Sequence, residues 1–394
     1  MTLLEEVTKA AAAAERPRPR SQAEFPVVLN PEFSLVNLKP KAENPNPASL
    51  VCPLTPWKVS EADAALASAI FSFSDGLRFK LKEGKRFGQN EFLRILTPFL
   101  EQVLQIAGVS AGVAPSDRSY VKVLIERVGG LLGKEASSLV LDACLMFELW
   151  ELVECMIVRG IVDRASYGDV ILRLMLKRRS DLICLCISHA TDIRVTELLC
   201  VLRYFCCPPK DAFPSMARVR KEWESQGMLA IRMAGDKNQR AIESDVAVDA
   251  AILLMVAYDE FLAPEICLHY LLASSSIDEA VLSSAISKLN DEEVSSLIRY
   301  LGKWLKKYER FPQACPCPKA LSSFELGALV WVPKLEDVVR WVGLILDVNF
   351  SSLVLHPEFH EELRLIQTVV ASLAGEAKAS SSLANIVDGM MNAS

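Results

Sequence analysis

Five bases, Arg299, Lys303, Lys306, Lys307 and Arg310, are threaded between Tyr300, Trp304 and Tyr308 in the segment SSLIRYLGKWLKKYERFP, Ser295 to Pro312. Rings that stack on nucleobases, set beside cations that pair with phosphates, are the chemistry of a single-strand nucleic-acid binder. A helical wheel pulls the two sets apart. At about 100° per residue, Leu297, Ile298, Leu301, Trp304, Leu305 and Tyr308 fall within roughly a 120° arc, and the five bases take the opposite face. An apolar stripe of that width faces a core. The spacing therefore predicts a buried Trp304 and a solvated basic face, which remains the part that could touch RNA. A second basic cluster, Arg218, Arg220 and Lys221, is the other candidate surface.

Other reactive residue types are present without the spacing that chemistry needs. His356 and His360 stand four apart, which can place two imidazoles on one metal. The zincin pattern puts Glu directly after the first His, and Pro357 occupies that place. VGGLLGKE, Val128 to Glu135, lacks the first Gly, the Ser or Thr after Lys and the preceding strand of a phosphate loop; its glycines are read as letting two helices meet. Cys206-Cys207 and the pair Cys315 and Cys317 lack the two-residue gap of a zinc knuckle. His189 and His269 lie on apolar helix faces and are expected to be core or boundary residues. With no G-x-S-x-G elbow and no Cys/His signature, the residues give no ground for an enzyme, a cofactor or a metal.

The elements that would position these residues read as helices. In 394 residues, 51% are hydrophobic and 23% charged, with a mean hydropathy of +0.24, enough for a sizeable core and surplus apolar surface. The length suggests about two domains. A net charge of −6 and a pI near 5.5 argue against a basic footprint over the whole surface. No apolar run reaches the ~18 residues of a membrane span. The N-terminus has no continuous apolar signal core, and most of the 11 cysteines lie inside apolar helix patterns, so they read as small hydrophobes in a reducing, cytosolic or nuclear compartment.

Nine of the 20 prolines fall within residues 16–57, so residues 1–57 are expected to be a Pro-rich, largely disordered tail. From Ser60 apolar residues recur at i, i+3, i+4 and i+7. We expect an N-terminal helical region over 58–207, a polar connection over 208–246 with one short helix near Trp223, a C-terminal helical domain over 247–375, and a frayed tail over 376–394. Asn290 and Glu293 form a capping-box signature, which starts the opening helix there; it should stop near Pro312. Paired helices suggest a solenoid, but no single repeat period aligns. The fold class is all-α: an irregular stack of antiparallel helices, solenoid-like or a bundle.

A resemblance adds to this. IDEAVLSSAISKLNDEEVSSLIRYLGKWLKKYERFP resembles the C-terminal helical domain of the nucleolar protein 11 (Utp8-like) family at Asp291, Glu292, Glu293, Val294, Tyr300, Leu301, Trp304 and Leu305. WVGLILDVNFSSLVLHPE is similar to that family's Trp-x(4)-Leu-Asp-x-x-Phe helix at Trp341, Leu346, Asp347 and Phe350, and HATDIRVTELLCVLRYF is more loosely similar to its helix linker. The resemblance spans residues 140–372, concentrated after about 250, and its motifs are core-packing ones. Family members carry an N-terminal β-propeller; here a Pro-rich tail and extra helices precede the resembling region. The resemblance implies a nucleolar scaffold of the small-subunit processome, supporting pre-18S rRNA processing and rRNA transcription. Its partners would be propeller-containing ribosome-assembly factors, with pre-rRNA contact secondary and no membrane or small-molecule substrate. Two alternatives stand beside it: a helical adaptor in another cytosolic or nuclear complex, and a direct RNA-binding helical module.

Overall fold

A computed structural model describes residues 61–83, 87–235, 241–312 and 326–393. The Pro-rich tail, residues 1–57, and the Cys315/Cys317 pair lie outside them. Among the described residues there are sixteen α-helices and no strand, so the chain is all-α. In chain order these are α1 (Glu61–Glu83), α2 (Gln89–Ile106), α3 (Tyr120–Val128), α4 (Gly133–Met146), α5 (Trp150–Val158), α6 (Tyr167–Leu176), α7 (Ser180–His189), α8 (Val195–Cys206), α9 (Phe213–Ala234) and α10 (Ala241–Tyr258). They continue as α11 (Ala263–Leu272), α12 (Glu279–Ile286), α13 (Asp291–Arg310), α14 (Leu335–Val348), α15 (Phe350–Leu355) and α16 (His360–Ala393).

A regular block sits inside the stack. Helices α3, α5 and α7 begin at Tyr120, Trp150 and Ser180, thirty residues apart, and each leads into a second helix, α4, α6 or α8. The first helices pack side by side as a row, α3 on α5 on α7, and α9 extends it; α6 and α8 pack in a second row. The turns between units are built alike. After α4 the amide of Leu149 donates to Cys144 O at 2.9 Å, and after α6 the amide of Arg179 donates to Leu174 O at 3.0 Å. Both are Schellman closures through a left-handed residue, Glu148 at φ 57° and Arg178 at φ 56°. A repeat thus exists between Tyr120 and Pro209 where the sequence pattern aligned none.

Within VGGLLGKE, Gly129 does let chain segments meet: a Cβ there would lie 2.3 Å from Ile161 Cδ1. The segment 208–246 is also more ordered than a connection. It holds the 22-residue α9, packed against α7, α10 and α11. Its buried Met216, Val219, Trp223, Gly227 and Ala230 form one narrow stripe at three- and four-residue steps. So thin a stripe on a polar helix leaves little apolar signal. The tail is corrected as well: α16 runs to Ala393, in keeping with the helix propensity of its alanines.

One continuous apolar cluster extends from Ala69 to Val369. Towards the C-terminus it is aromatic. His269 lies between the rings of Phe261, Trp223, Tyr300 and Trp304, at centroid distances of 4.9, 5.2, 5.7 and 5.0 Å. The capping box of α13 forms as read: Asn290 Oδ1 accepts from the Glu293 amide at 2.8 Å, and Glu293 Oε2 accepts from the Asn290 amide at 2.9 Å. Leu297, Ile298, Tyr300, Leu301, Trp304, Leu305 and Tyr308 are all buried. The second resemblance motif fares differently. Trp341 is buried, but Leu346 and Asp347 are exposed and Phe350 is 67% exposed. One turn on from Trp341 the inward position is Ile345, and α14 ends at Asn349 before Phe350 starts a new helix.

Candidate functional site

The basic face of α13 is partly engaged by acids of the same chain. Lys307, expected on the solvated face, is only 3% exposed, with Nζ 3.4 Å from both Asp259 Oδ2 and Glu260 Oε2. Three helical steps past Trp304, it lies only about 60° round the wheel from that core residue. Lys303 Nζ contacts Glu265 Oε1 at 2.7 Å, and Arg310 Nη1 lies 3.8 Å from Glu260 Oε1. Acids of the turn between α10 and α11 and of the first turn of α11 therefore reach three of the five bases. Arg299, Lys306 and Arg310 stay exposed, and Arg299 and Lys306 line with Lys303 a small groove of about 220 Å³ against Leu365, Ile366 and Val369 of α16. Tyr300 and Trp304 are sealed in the core and cannot stack on a base.

The second cluster does not form one patch. Arg218 pairs with Asp181 at 2.8 Å, and the Arg220 guanidinium lies 5.0 Å over the Tyr258 ring; Lys221 is exposed. Arg218 nevertheless lines an open groove of about 790 Å³ across α5, α7 and α9.

Asp181, at the start of α7, is the hub of this groove. Arg179 Nε and Nη2 donate to its two oxygens at 2.9 and 2.7 Å, and Arg218 Nη1 donates to Oδ2 at 2.8 Å. Burial pushes the Asp181 carboxyl up, but the Arg179 bonds and the charges of Arg179 and Arg218 outweigh it and hold it below its ordinary value. The Arg179 guanidinium also covers the Trp150 ring at 4.7 Å. On the far wall Tyr270 and Trp331 stack with centroids 5.4 Å apart, and the Trp223 indole donates to Tyr270 Oη at 3.2 Å. Gln226 Oε1 accepts from the Ala328 amide at 2.8 Å, which fixes the short turn Gly327–Trp331 on α9. The result is an aromatic and charged trough pinned by its own hydrogen bonds. Sequence reasoning found Arg218 and missed Trp150, Arg179, Asp181, Tyr270 and Trp331; the only trace was Trp150 and Ser180 heading equivalent helices.

The histidines divide. His189, expected at a core or boundary position, is exposed on the groove rim, with Nδ1 3.0 Å from Leu185 O. His269 is fully buried: its Nε2–H donates to Ala257 O at 2.9 Å, and Nδ1 accepts from Tyr300 Oη at 2.8 Å. Burial pulls it down to about 3 despite that carbonyl, so at neutral pH it is an uncharged packing group. His356 and His360 do not converge, because His360 Nε2 donates to Val354 O at 3.1 Å. His356 instead meets Asp291 and Glu358, with Nδ1 at 3.9 and 3.7 Å from their oxygens. These three are the residues that could hold a cation among those described, their ligand atoms lying within 4.8 Å of one another, but each reaches solvent and the distances are those of ion pairs. Of the thiols, burial pushes Cys155 up to about 11 and Cys206 up to about 12, so neither ionises readily. No family model matches the chain, and no curated protein or solved structure matches it.

Proposed function

We propose that the chain is a non-enzymatic helical scaffold that binds other proteins through its grooves and exposed helix faces. The observation that carries this reading is the open groove across α5, α7 and α9, a row of stacked helices where Trp150 of α5 lies beside fixed charges and Tyr270 of α11 with Trp331 of the Gly327–Trp331 turn forms the far wall. Stacked helical units bind extended partners on such surfaces. Outward apolar side chains support it, among them Met146, Leu176, Phe350 and Leu355, the last 76% exposed. Two groups of reactive residues are used in packing: His269 is neutral and fully bonded, and the buried thiols Cys144 and Cys186 are held protonated.

In its finer form the proposal rests on the C-terminal resemblance alone. The partners are then propeller-containing factors of the small-subunit processome in the nucleolus, and the work is support of pre-18S rRNA processing and rRNA transcription. Pre-rRNA contact through Arg299 and Lys306 is secondary. No described helix is long and apolar enough to cross a membrane.

The test is purification of the tagged full-length chain from its own cells, with and without RNase, followed by mass spectrometry. The proposal expects ribosome-assembly proteins that survive RNase and that fall away from a Trp331→Ala chain. Loss of those proteins on RNase treatment would transfer the weight to RNA binding. Retention of a different, RNase-resistant set of partners would overturn the nucleolar assignment but keep the scaffold. Recovery of no partner from either sample would overturn both.

A further inference from the structure

The groove across α5, α7 and α9 has a charge imbalance that selects its occupant. Four carboxylates line it, Glu151 and Glu154 from α5, Asp181 from α7 and Glu222 from α9, against the two guanidiniums of Arg179 and Arg218. Both guanidiniums bond to Asp181; Arg179 is turned in, while Arg218 keeps 62% of its side chain open to solvent. Solvent therefore meets three exposed acids, Glu151 and Glu154 from α5 on one rim and Glu222 from α9 on the other, against the one exposed guanidinium of Arg218, which is already paired with Asp181. Glu222 is braced by Gln226, whose Nε2 donates to it at 3.0 Å. Between the rims lie Trp150, Leu185 and the Tyr270–Trp331 stack. Acids on two edges of an aromatic trough complement cations carried on an apolar backbone.

Resting on the scaffold reading, we propose that this groove takes a lysine- or arginine-rich segment of a partner protein. Its apolar side chains lie on Tyr270 and Trp331, and its cations reach the rims at Glu151, Glu154 and Glu222. Two competing occupants fit less well. A nucleic acid would set phosphates against three carboxylates. A second copy of the chain through the same face would set those carboxylates against themselves. The volume, about 790 Å³, accommodates several side chains of a segment crossing three helices.

Fluorescence anisotropy with two labelled 18-residue probes tests this: an amphipathic lysine–leucine peptide and its glutamate–leucine counterpart, titrated with the full chain. Hydrogen exchange locates the bound probe. The lysine probe should bind saturably and protect α5, α7 and α9. Removing the rim charge in E151Q/E154Q/E222Q should weaken it about tenfold, since complementary rim charges set the approach and strength of such a contact. A control that removes three exposed acids elsewhere, D249N/D347N/E376Q, should change it less than about twofold and so separates the groove from the chain's general acidity.

Equal weakening by the control variant would reduce the binding to net charge and overturn the proposal. Binding of the glutamate probe in the groove, lost on Trp331→Ala, would keep a docking site but overturn the basic occupant. Failure of both probes would overturn the basic occupant too, and the scaffold reading would still be decided by the proteins recovered in the purification.

Discussion

The thirty-residue units between Tyr120 and Pro209 and the bundle around His269 are both made of packed helices, yet they bury their side chains by different means. The units use short helices and mostly aliphatic groups spread along them, among them Val128, Val140, Val153, Ile157, Ile171, Ile183 and Ile187, with Cys144 and Cys186 between them; their buried rings, Tyr120, Tyr167, Tyr204 and Phe205, are distributed along the rows. Their surfaces are tied from one unit to the next by Glu126–Arg159, Asp142–Arg173 and Glu148–Lys177. The bundle concentrates Trp223, Phe261, His269, Tyr300 and Trp304 in one cluster and fastens it through a single imidazole that donates one hydrogen bond and accepts another. Burial spread over many like positions tolerates loss at any one of them. Burial gathered at one point does not.

The largest effect should therefore fall on Trp304, which is fully buried among Phe261, His269 and Tyr308. Trp304→Ala should cost about 3–5 kcal/mol, towards the upper end, whereas the comparable truncation Ile157→Ala in the units should fall at the lower end of about 2–5 kcal/mol. Urea unfolding followed by circular dichroism measures both. Equal costs would erase the contrast between the two regions.

His269 sharpens it through pH. Its folded value, about 3, lies below the ordinary histidine value of 6.5. The unfolded chain therefore binds a proton that the folded chain refuses between those limits. Stability contributed by the neutral imidazole is fully present above about pH 6.5 and is lost as pH falls towards 3, by up to about 1.4 kcal/mol per unit. Unfolding midpoints read between pH 6.5 and 5, above the range where carboxylates dominate, should fall in the parent chain. In His269→Leu that part of the slope should vanish, whatever the variant's absolute stability. A slope unchanged by the substitution would remove His269 from the account.

How much of this could be read in advance depended on how each residue announces itself. Helix α13 was legible almost to the residue, because its stripe is wide and Asn290 with Glu293 marks its start. Lys307 was misplaced because it sits at the margin of the basic face, only about 60° round the wheel from Trp304, and because Asp259 and Glu260 reach it only in the folded chain. The narrow stripe of α9 hid a core helix inside polar sequence, and Leu346 and Phe350 were apolar without facing inward. The groove was out of reach because Trp150, Asp181, Tyr270 and Trp331 come together only through packing of α5, α7, α9 and α11. The repeat was hidden by its turns. Gly160 marks the end of α5 plainly, but Glu148 and Arg178 close their helices in the left-handed region without a glycine to signal it.

Those turns carry the smallest prediction, in which two opposing effects nearly cancel. A non-glycine residue in the left-handed region costs roughly 1 kcal/mol relative to glycine, so Glu148→Gly relieves strain at φ 57°. The glycine also makes the unfolded chain more flexible, which returns part of that gain. The substitution removes the Glu148–Lys177 pair as well, 2.8 Å long with both side chains about half exposed, and exposed pairs of this kind contribute only about 0.2–1 kcal/mol. The net change should be within about 0.5 kcal/mol of zero at low salt. It should shift towards stabilisation as salt screens the pair in the parent chain but leaves backbone strain untouched. Urea midpoints of the two proteins at low and high salt measure that shift. A midpoint difference independent of salt would mean that this ion pair contributes nothing between units, leaving Glu126–Arg159, Asp142–Arg173 and the aliphatic rows to hold them.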